Sequence, residues 1–136
     1  MELIQVKILN TTIERAINKE LSMYQITSAQ SDILIYLHRH PTRVICQKDL
    51  ETALSLTHPT VSSILKRLDE KQLITSASLA DDHRFKQIKL TAKSESIIAQ
   101  LNKKVEEIYM RAIAGFRTDE IDAFSALLRK MTDNLK

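Results

Sequence analysis

The chain has 136 residues, 43% hydrophobic and 27% charged, with 20 Lys and Arg against 17 Asp and Glu. Those proportions suit one globular domain with a real core and exclude a disordered chain. One glycine, Gly115, and two prolines, Pro41 and Pro59, exclude glycine-rich phosphate loops and disfavour a turn-rich all-β fold, since both rely on residues that reach positive φ at little cost.

The expectation is therefore a mostly helical protein with a small β component. Met1 to Lys19 mixes charges among its apolar residues, so no secretory leader is expected. The longest apolar run, Ile33 to Leu37, is far short of a membrane span. A single cysteine, Cys46, permits no internal disulfide, in keeping with a reducing cytoplasm.

In chain order, Leu3, Val6, Ile13, Ile17 and Leu21 recur at three- and four-residue steps and predict a helix over residues 2–21. A second helix is expected from a cap at Ser28 or Ser31 towards His40, where Pro41 stops it. Thr42 to Ile45 reads as a short strand or a turn. Gln47 to Leu54 makes two helical turns with Leu50, Ala53 and Leu54 inward. After the short link Ser55-Leu56, Thr57 is a natural N-cap, and Pro59 falls in the first turn, where its missing N–H costs nothing. That helix runs to about Lys71. Two short helices joined by so tight a turn make a helix-turn-helix pattern.

Leu73 to Ser78 and Arg84 to Leu90 read as strands of a β-hairpin turning at Ala80 to His83, which adds a wing. Thr91 then caps a long helix to about Phe116, stopped near Gly115. A last helix opens at a Thr118 cap, with Asp119 and Glu120 favourably placed in its first turn and the stripe Ile121, Phe124, Leu128, Met131 and Leu135. The fold class is thus a mainly α winged helix-turn-helix, a single domain over 1–136. Residues 28–91 form the winged unit, and 1–21 and 92–136 form flanking helices. The apolar stripes of the first and last helices exceed what so small a unit covers, which favours a twofold homodimer built from the two ends of the chain.

Charge points to the same middle segment. Residues 57–93 hold seven basic and four acidic side chains, a surplus equal to the net charge of the whole chain. A local excess of cations is what a polyanion requires, because neutralising phosphates releases counterions. With Val61, Ile64, Leu65 and Leu68 turned inward at about 100° per residue, the opposite helix face presents Pro59, Ser62, Ser63, Lys66 and Glu70, the last a cost expected to lie past the DNA edge, with Thr60 and Arg67 on its flank. Small hydroxyls near the helix start allow close entry into a major groove, while Lys66 and Arg67 reach phosphates or guanine edges. His58 and His83 fall on the same surface. Arg84, at the expected wing tip, suits a narrow minor groove, with Asp82 placed to hold it. The expected DNA-contacting set is therefore Thr57, His58, Pro59, Thr60, Ser62, Ser63, Lys66, Arg67, Asp82, His83, Arg84 and Lys86.

The block Thr57-His58-Pro59-Thr60-Val61-Ser62-Ser63-Ile64-Leu65-Lys66-Arg67-Leu68-Asp69-Glu70-Lys71, followed by Asp82-His83-Arg84 and Lys89-Leu90-Thr91, resembles the multiple-antibiotic-resistance regulator (MarR) family of bacterial transcription factors. The residue-level likeness is confined to about 46–93. There are two departures from the family pattern: Gln72, where glycine commonly ends the helix, and the pair Thr75-Ser76, in place of a frequent basic pair. The resemblance implies a homodimeric transcriptional regulator, as a repressor, on a pseudo-palindromic operator in double-stranded DNA. It also implies a small aromatic or anionic effector between the dimer helices and the reading unit, for which no residue is assigned. Tyr24 and Tyr109 could line its cavity, but core packing is the expected use of both, and neither is assigned a role.

Three other readings make different demands on the sequence. A helical protein-interaction module without DNA binding would tolerate charge reversal at Lys66 and Arg84. A redox sensor would use Cys46, which precedes a helix N-terminus. A metal sensor would draw on His38 and His40, which point to different helix faces and have no nearby Cys or carboxylate cluster to complete a site. No catalytic constellation, metal site or cofactor is expected.

Overall fold

Apolar residues at helical spacing produce six α-helices in the computed structural model, which describes residues 1–79 and 82–136, with side chains described for 1–79 and 85–136. The order is α1 (Leu3–Leu21), a single 3-10 turn (Ser22–Tyr24), α2 (Ser28–Arg39), α3 (Gln47–Leu54), α4 (His58–Glu70), β1 (Ile74–Leu79), β2 (Asp82–Leu90), α5 (Ala92–Ala112) and α6 (Thr118–Asn134). The strands form an antiparallel hairpin in which Ile74 pairs with Leu90 and Ser76 with Ile88. The expected winged helix-turn-helix with flanking helices is present. Among the described residues, no helix is long and apolar enough to cross a membrane.

The core lies where α2, α4, α5 and the hairpin base converge on α3 and the end of α1. Leu21, Ile33, Leu34, Leu50, Val61, Leu68 and Leu101 are wholly inaccessible there, and Ile45, Ile74 and Ile88 are nearly so. Packed side chains of this size contribute roughly 1.5–3 kcal/mol each relative to exposure. The segment before α3 is a turn at residues 41–43 followed by extended chain. It is tied to the wing by one ladder-like bond, in which the Ile88 N–H donates to the Ile45 carbonyl at 2.8 Å.

Several boundaries differ from the sequence reading. The cap of α2 is Thr27, whose hydroxyl accepts from the Gln30 N–H at 3.2 Å, while the Gln30 side chain accepts from the Thr27 N–H. Ser28 and Ser31 are instead buried inside the helix, Ser28 N–H donating to Asn18 Oδ1 at 2.6 Å. Thr57 holds the N-cap position of α4 by backbone conformation but makes no side-chain cap bond. Ala53 is exposed, not inward. The strands start later and earlier than expected, at Ile74 and Asp82, so Asp82 and His83 belong to β2 and not to the turn.

The long helix α5 ends at Ala112, short of Phe116. Phe116 is 48% exposed and offers no packing to extend it. The chain reverses there in a turn closed by Phe116 N–H donating to the Ile113 carbonyl at 2.9 Å, with Gly115 supplying φ 85°. The cap of α6 is Arg117, one residue before Thr118, because the Glu120 carboxylate reaches back to its N–H at 3.0 Å. Leu135 lies beyond the helix and is exposed.

Candidate nucleic-acid interface

A helix can offer one face outward only if the other is anchored. In α4, Val61 and Leu68 are completely buried and Ile64 and Leu65 half-buried, which fixes the rotation of the helix. Thr57, His58, Pro59, Thr60, Ser62, Ser63, Lys66 and Arg67 are all exposed as a result. The turn into α4 is set by Ser55, held at φ 55° while Leu56 N–H donates to the Glu51 carbonyl at 3.0 Å. The Thr57 hydroxyl donates to Thr60 Oγ1 at 2.9 Å instead of capping the backbone. The first-turn N–H groups of α4 therefore stay available beside a helix end that carries partial positive charge.

At the far end of α4 the chain closes with a Schellman arrangement. Leu73 N–H donates to the Leu68 carbonyl and Gln72 N–H to the Asp69 carbonyl, both at 2.9 Å. Gln72 sits in the left-handed region at φ 61°, so the departure noted at this position leaves the cap geometry intact and places a side chain where glycine is unstrained.

The cations of residues 57–93 divide into two groups. Among the described side chains, Lys66, Arg67, Lys86 and Lys89 are exposed, the first two on α4 and the others on β2. Lys71 and Lys93 are structural. The Lys71 ammonium donates to the Gln25 carbonyl and, at 2.8 Å, to Gln30 Oε1, and Lys93 donates to the Lys71 carbonyl at 2.8 Å. Burial and the neighbouring Arg67 charge pull the Lys71 ammonium below the usual lysine range. Each lysine neutralises a carbonyl at a helix or turn end, and sequence position alone did not separate this role from a place on the cationic surface. Of the wing residues, Asp82, His83 and Arg84 have side chains outside the described residues. The hairpin register takes one step on β1, Ser78 to Leu79, against four on β2, Lys86 to Asp82.

One residue on the flank of this face was not picked out from sequence. Glu51 on α3 places Oε2 2.9 Å from His58 Nδ1, across the turn. The signal available was an acid seven residues before a histidine, which becomes meaningful only once the turn between them is known.

The remaining sequence candidates lie elsewhere. Cys46 is the half-buried N-cap of α3, its N–H donating to Asp49 Oδ2 at 2.8 Å. Desolvation and the Asp49 charge push its thiol above the ordinary cysteine range, the opposite of what a reactive thiolate needs. His38 is exposed, whereas His40 stacks on Tyr36 with ring centroids 4.3 Å apart and places Nδ1 2.8 Å from the Tyr36 carbonyl. Tyr24 packs against the core and donates to Gln100 Oε1 at 3.0 Å, but Tyr109 is 45% exposed and not a core residue.

The flanking helices leave apolar surface uncovered. Met1, Val6 and Leu9 of the α1 end face Phe124, Leu127 and Leu128 of α6 across a cavity of about 600 Å³. No residue of α6 is buried.

Against known proteins, the model for a family described as the MarR family matches residues 24–84. The chain is similar to S. aureus MepR in a MepR–DNA complex, with 26% identity, 97% of this chain and 94% of that chain covered, and a TM-score of 0.89. It is also similar to S. aureus MepR in the DNA-binding conformation, at 27% identity, 98% and 97% coverage and a TM-score of 0.87. The transcription regulator MarR from Oenococcus oeni shares the fold at 23% identity, 95% and 96% coverage and a TM-score of 0.84.

Proposed function

We propose that the chain, whose residues 24–84 match the model of the MarR family, is a DNA-binding transcriptional regulator of that family acting as a homodimer. Two copies, joined through the apolar surfaces of α1 and α6, would present their α4 helices to successive major grooves on one side of a duplex, about 34–36 Å apart. The observation that carries this reading is the unobstructed outer face of α4. Its hydroxyls Thr60, Ser62 and Ser63 and its cations Lys66 and Arg67 are all exposed, while the inner face is locked into the core. The similar MepR structure is itself a DNA complex.

In this reading Lys66 and Arg67 contact phosphates or guanine edges, Thr57, Thr60, Ser62 and Ser63 approach the groove floor closely, and Pro59 keeps the helix start narrow. His58, His83 and Lys86 lie along the backbone, and Arg84, steadied by Asp82, enters the flanking minor groove. The role is that of a non-enzymatic repressor in the cytoplasm, on an inverted repeat of roughly two helical turns.

Selection of bound sequences from a random duplex pool tests the proposal. The expected result is enrichment of an inverted repeat, and no enrichment would favour the protein-interaction module. On the selected duplex, Lys66→Ala is expected to weaken binding by about 1–3 kcal/mol if it reads a base. If it neutralises a phosphate instead, the salt slope should fall by about one. Arg84→Ala should lower affinity severely in gel-shift titrations while leaving thermal unfolding unchanged.

A further inference from the structure

Between α3 and the hairpin lies a cleft of about 400 Å³. His58, the first residue of α4, stands at this cleft with 72% of its side chain exposed. Its Nδ1 is 2.9 Å from Glu51 Oε2 and 3.0 Å from Gln47 Nε2, and Gln47 Nε2 is also 3.4 Å from the His58 carbonyl. One ring nitrogen cannot accept from the amide and donate to the carboxylate at once. A carboxylate offers only lone pairs, so an unprotonated Nδ1 at this distance would oppose lone pair to lone pair. The hydrogen therefore sits on Nδ1, and the Gln47 amide hydrogen goes to the His58 carbonyl.

This assignment decides what the other edge of the ring can do. Nε2, across the ring from Glu51, is an acceptor while the imidazole is neutral. It becomes a second donor, carrying positive charge, once the ring takes up a proton. The charged groups around it are mixed: Glu51 is in direct contact, and Lys48 of α3 and Lys86 of β2 line the same cleft. Glu51 thus holds one edge of the ring, and the two ammonium groups make the cleft attractive to a polyanion.

We propose that Glu51 is a positioning residue for a histidine contact to DNA: it turns Nδ1 of His58 inward so that Nε2 meets a backbone phosphate, and operator binding tightens with proton uptake at this ring. The proposal rests on the reading of α4 as the DNA-contacting helix. A proton taken up on binding makes affinity rise as pH falls through the imidazole range, and it adds one charge to the counterions released.

Fluorescence-anisotropy titrations of the selected duplex, from pH 5.5 to 8.5 at constant ionic strength, test it on the full-length protein. Wild type should bind on the order of fivefold more tightly at pH 5.5 than at pH 8. Its salt slope should also be steeper at the lower pH by about 0.9. His58→Asn, which retains an N–H donor for Glu51, should bind with no such pH dependence. Glu51→Gln, which retains an acceptor without charge, should displace the tightening to lower pH. A flat wild-type profile, or one unchanged in His58→Asn, overturns the proposal, the latter assigning the effect to another titrating group such as His38, His40, His83 or Asp32. Absence of binding by wild type at every pH would instead overturn the DNA reading itself.

Discussion

Leu34 on α2 and Leu127 on α6 are the same residue type on helices of similar amphipathic pattern, yet Leu34 is fully buried and Leu127 is 59% exposed. The contrast extends to whole regions. Among the described residues, every buried apolar side chain falls between Ile17 and Ile108, while Leu3, Ile4, Ile8, Phe116, Phe124 and Leu127 are all exposed. The middle of the chain closes its own core. Its ends carry the same kind of apolar surface with nothing in the chain to cover it, which is the condition of a subunit interface. In the proposed dimer the reading unit is an independent block, and its spacing from a second copy would be set by a separate set of contacts.

Charging the α6 stripe is the most severe way to break this comparison. Phe124→Asp combined with Leu127→Asp should give a monomer by light scattering, with helical content and cooperative unfolding of the middle preserved. Operator affinity should fall by at least about 100-fold, because two linked half-site contacts become one. A double variant that stays dimeric, or one whose middle unfolds, would show that the two regions are not separable in this way.

Alanine at the two leucines sharpens the contrast in stability. Leu34→Ala should cost about 2–5 kcal/mol in urea unfolding, since it opens a cavity in a closed core. At protein concentrations low enough to dissociate the dimer, Leu127→Ala should cost no more than about 0.5 kcal/mol. Equal costs would mean that α6 has a partner within its own chain.

The same contrast explains what could be read from sequence. The helix stripes, the inward set of α4 and the outward hydroxyls and cations follow from periodicity, because Val61, Ile64, Leu65 and Leu68 recur at helical steps whatever they pack against. Caps were less legible. Ser28, Ser31 and Thr27 are all good capping types, and the choice of Thr27 depends on Asn18, ten residues earlier, accepting from Ser28. The lysines were the hardest to place. Lys71 and Lys66 look alike in a charge count, and only the fold brings the Gln25 carbonyl to Lys71 and leaves Lys66 outside. Scarcity of glycine also proved a weak guide to backbone shape. Gln25, Ser55 and Gln72 all take positive φ in a chain with one glycine.

Gln72 gives a smaller test, within the self-sufficient middle. Its left-handed conformation costs a residue with a Cβ about 1–2 kcal/mol, and glycine loses part of that gain through greater freedom in the unfolded chain. Gln72→Gly should therefore stabilise by about 0.5–1 kcal/mol in urea unfolding. A destabilised variant would mean that the Gln72 side chain makes a compensating contact.

The smallest expected effect lies where the two regions meet. Part of Asp32 on α2 is open to solvent, yet desolvation by the surrounding protein and the charge of Glu14 on α1 push its carboxyl up to about 6. A carboxyl whose pKa is higher in the folded state binds its proton more tightly there than in the unfolded chain. Its contribution to stability is thus fully present below about 4, where both states are protonated, and is lost as pH rises through about 6. Solvent screening of the exposed edge keeps the effect modest. Asp32→Asn, which cannot ionise, should raise Tm at pH 7.5 and raise it less at pH 5. A gain of the same size at both pH values would assign the effect to packing. A loss at pH 7.5 would mean that the ionised carboxylate has a stabilising partner at the junction, so that α1 is tied to α2 by an attraction and not merely set against it.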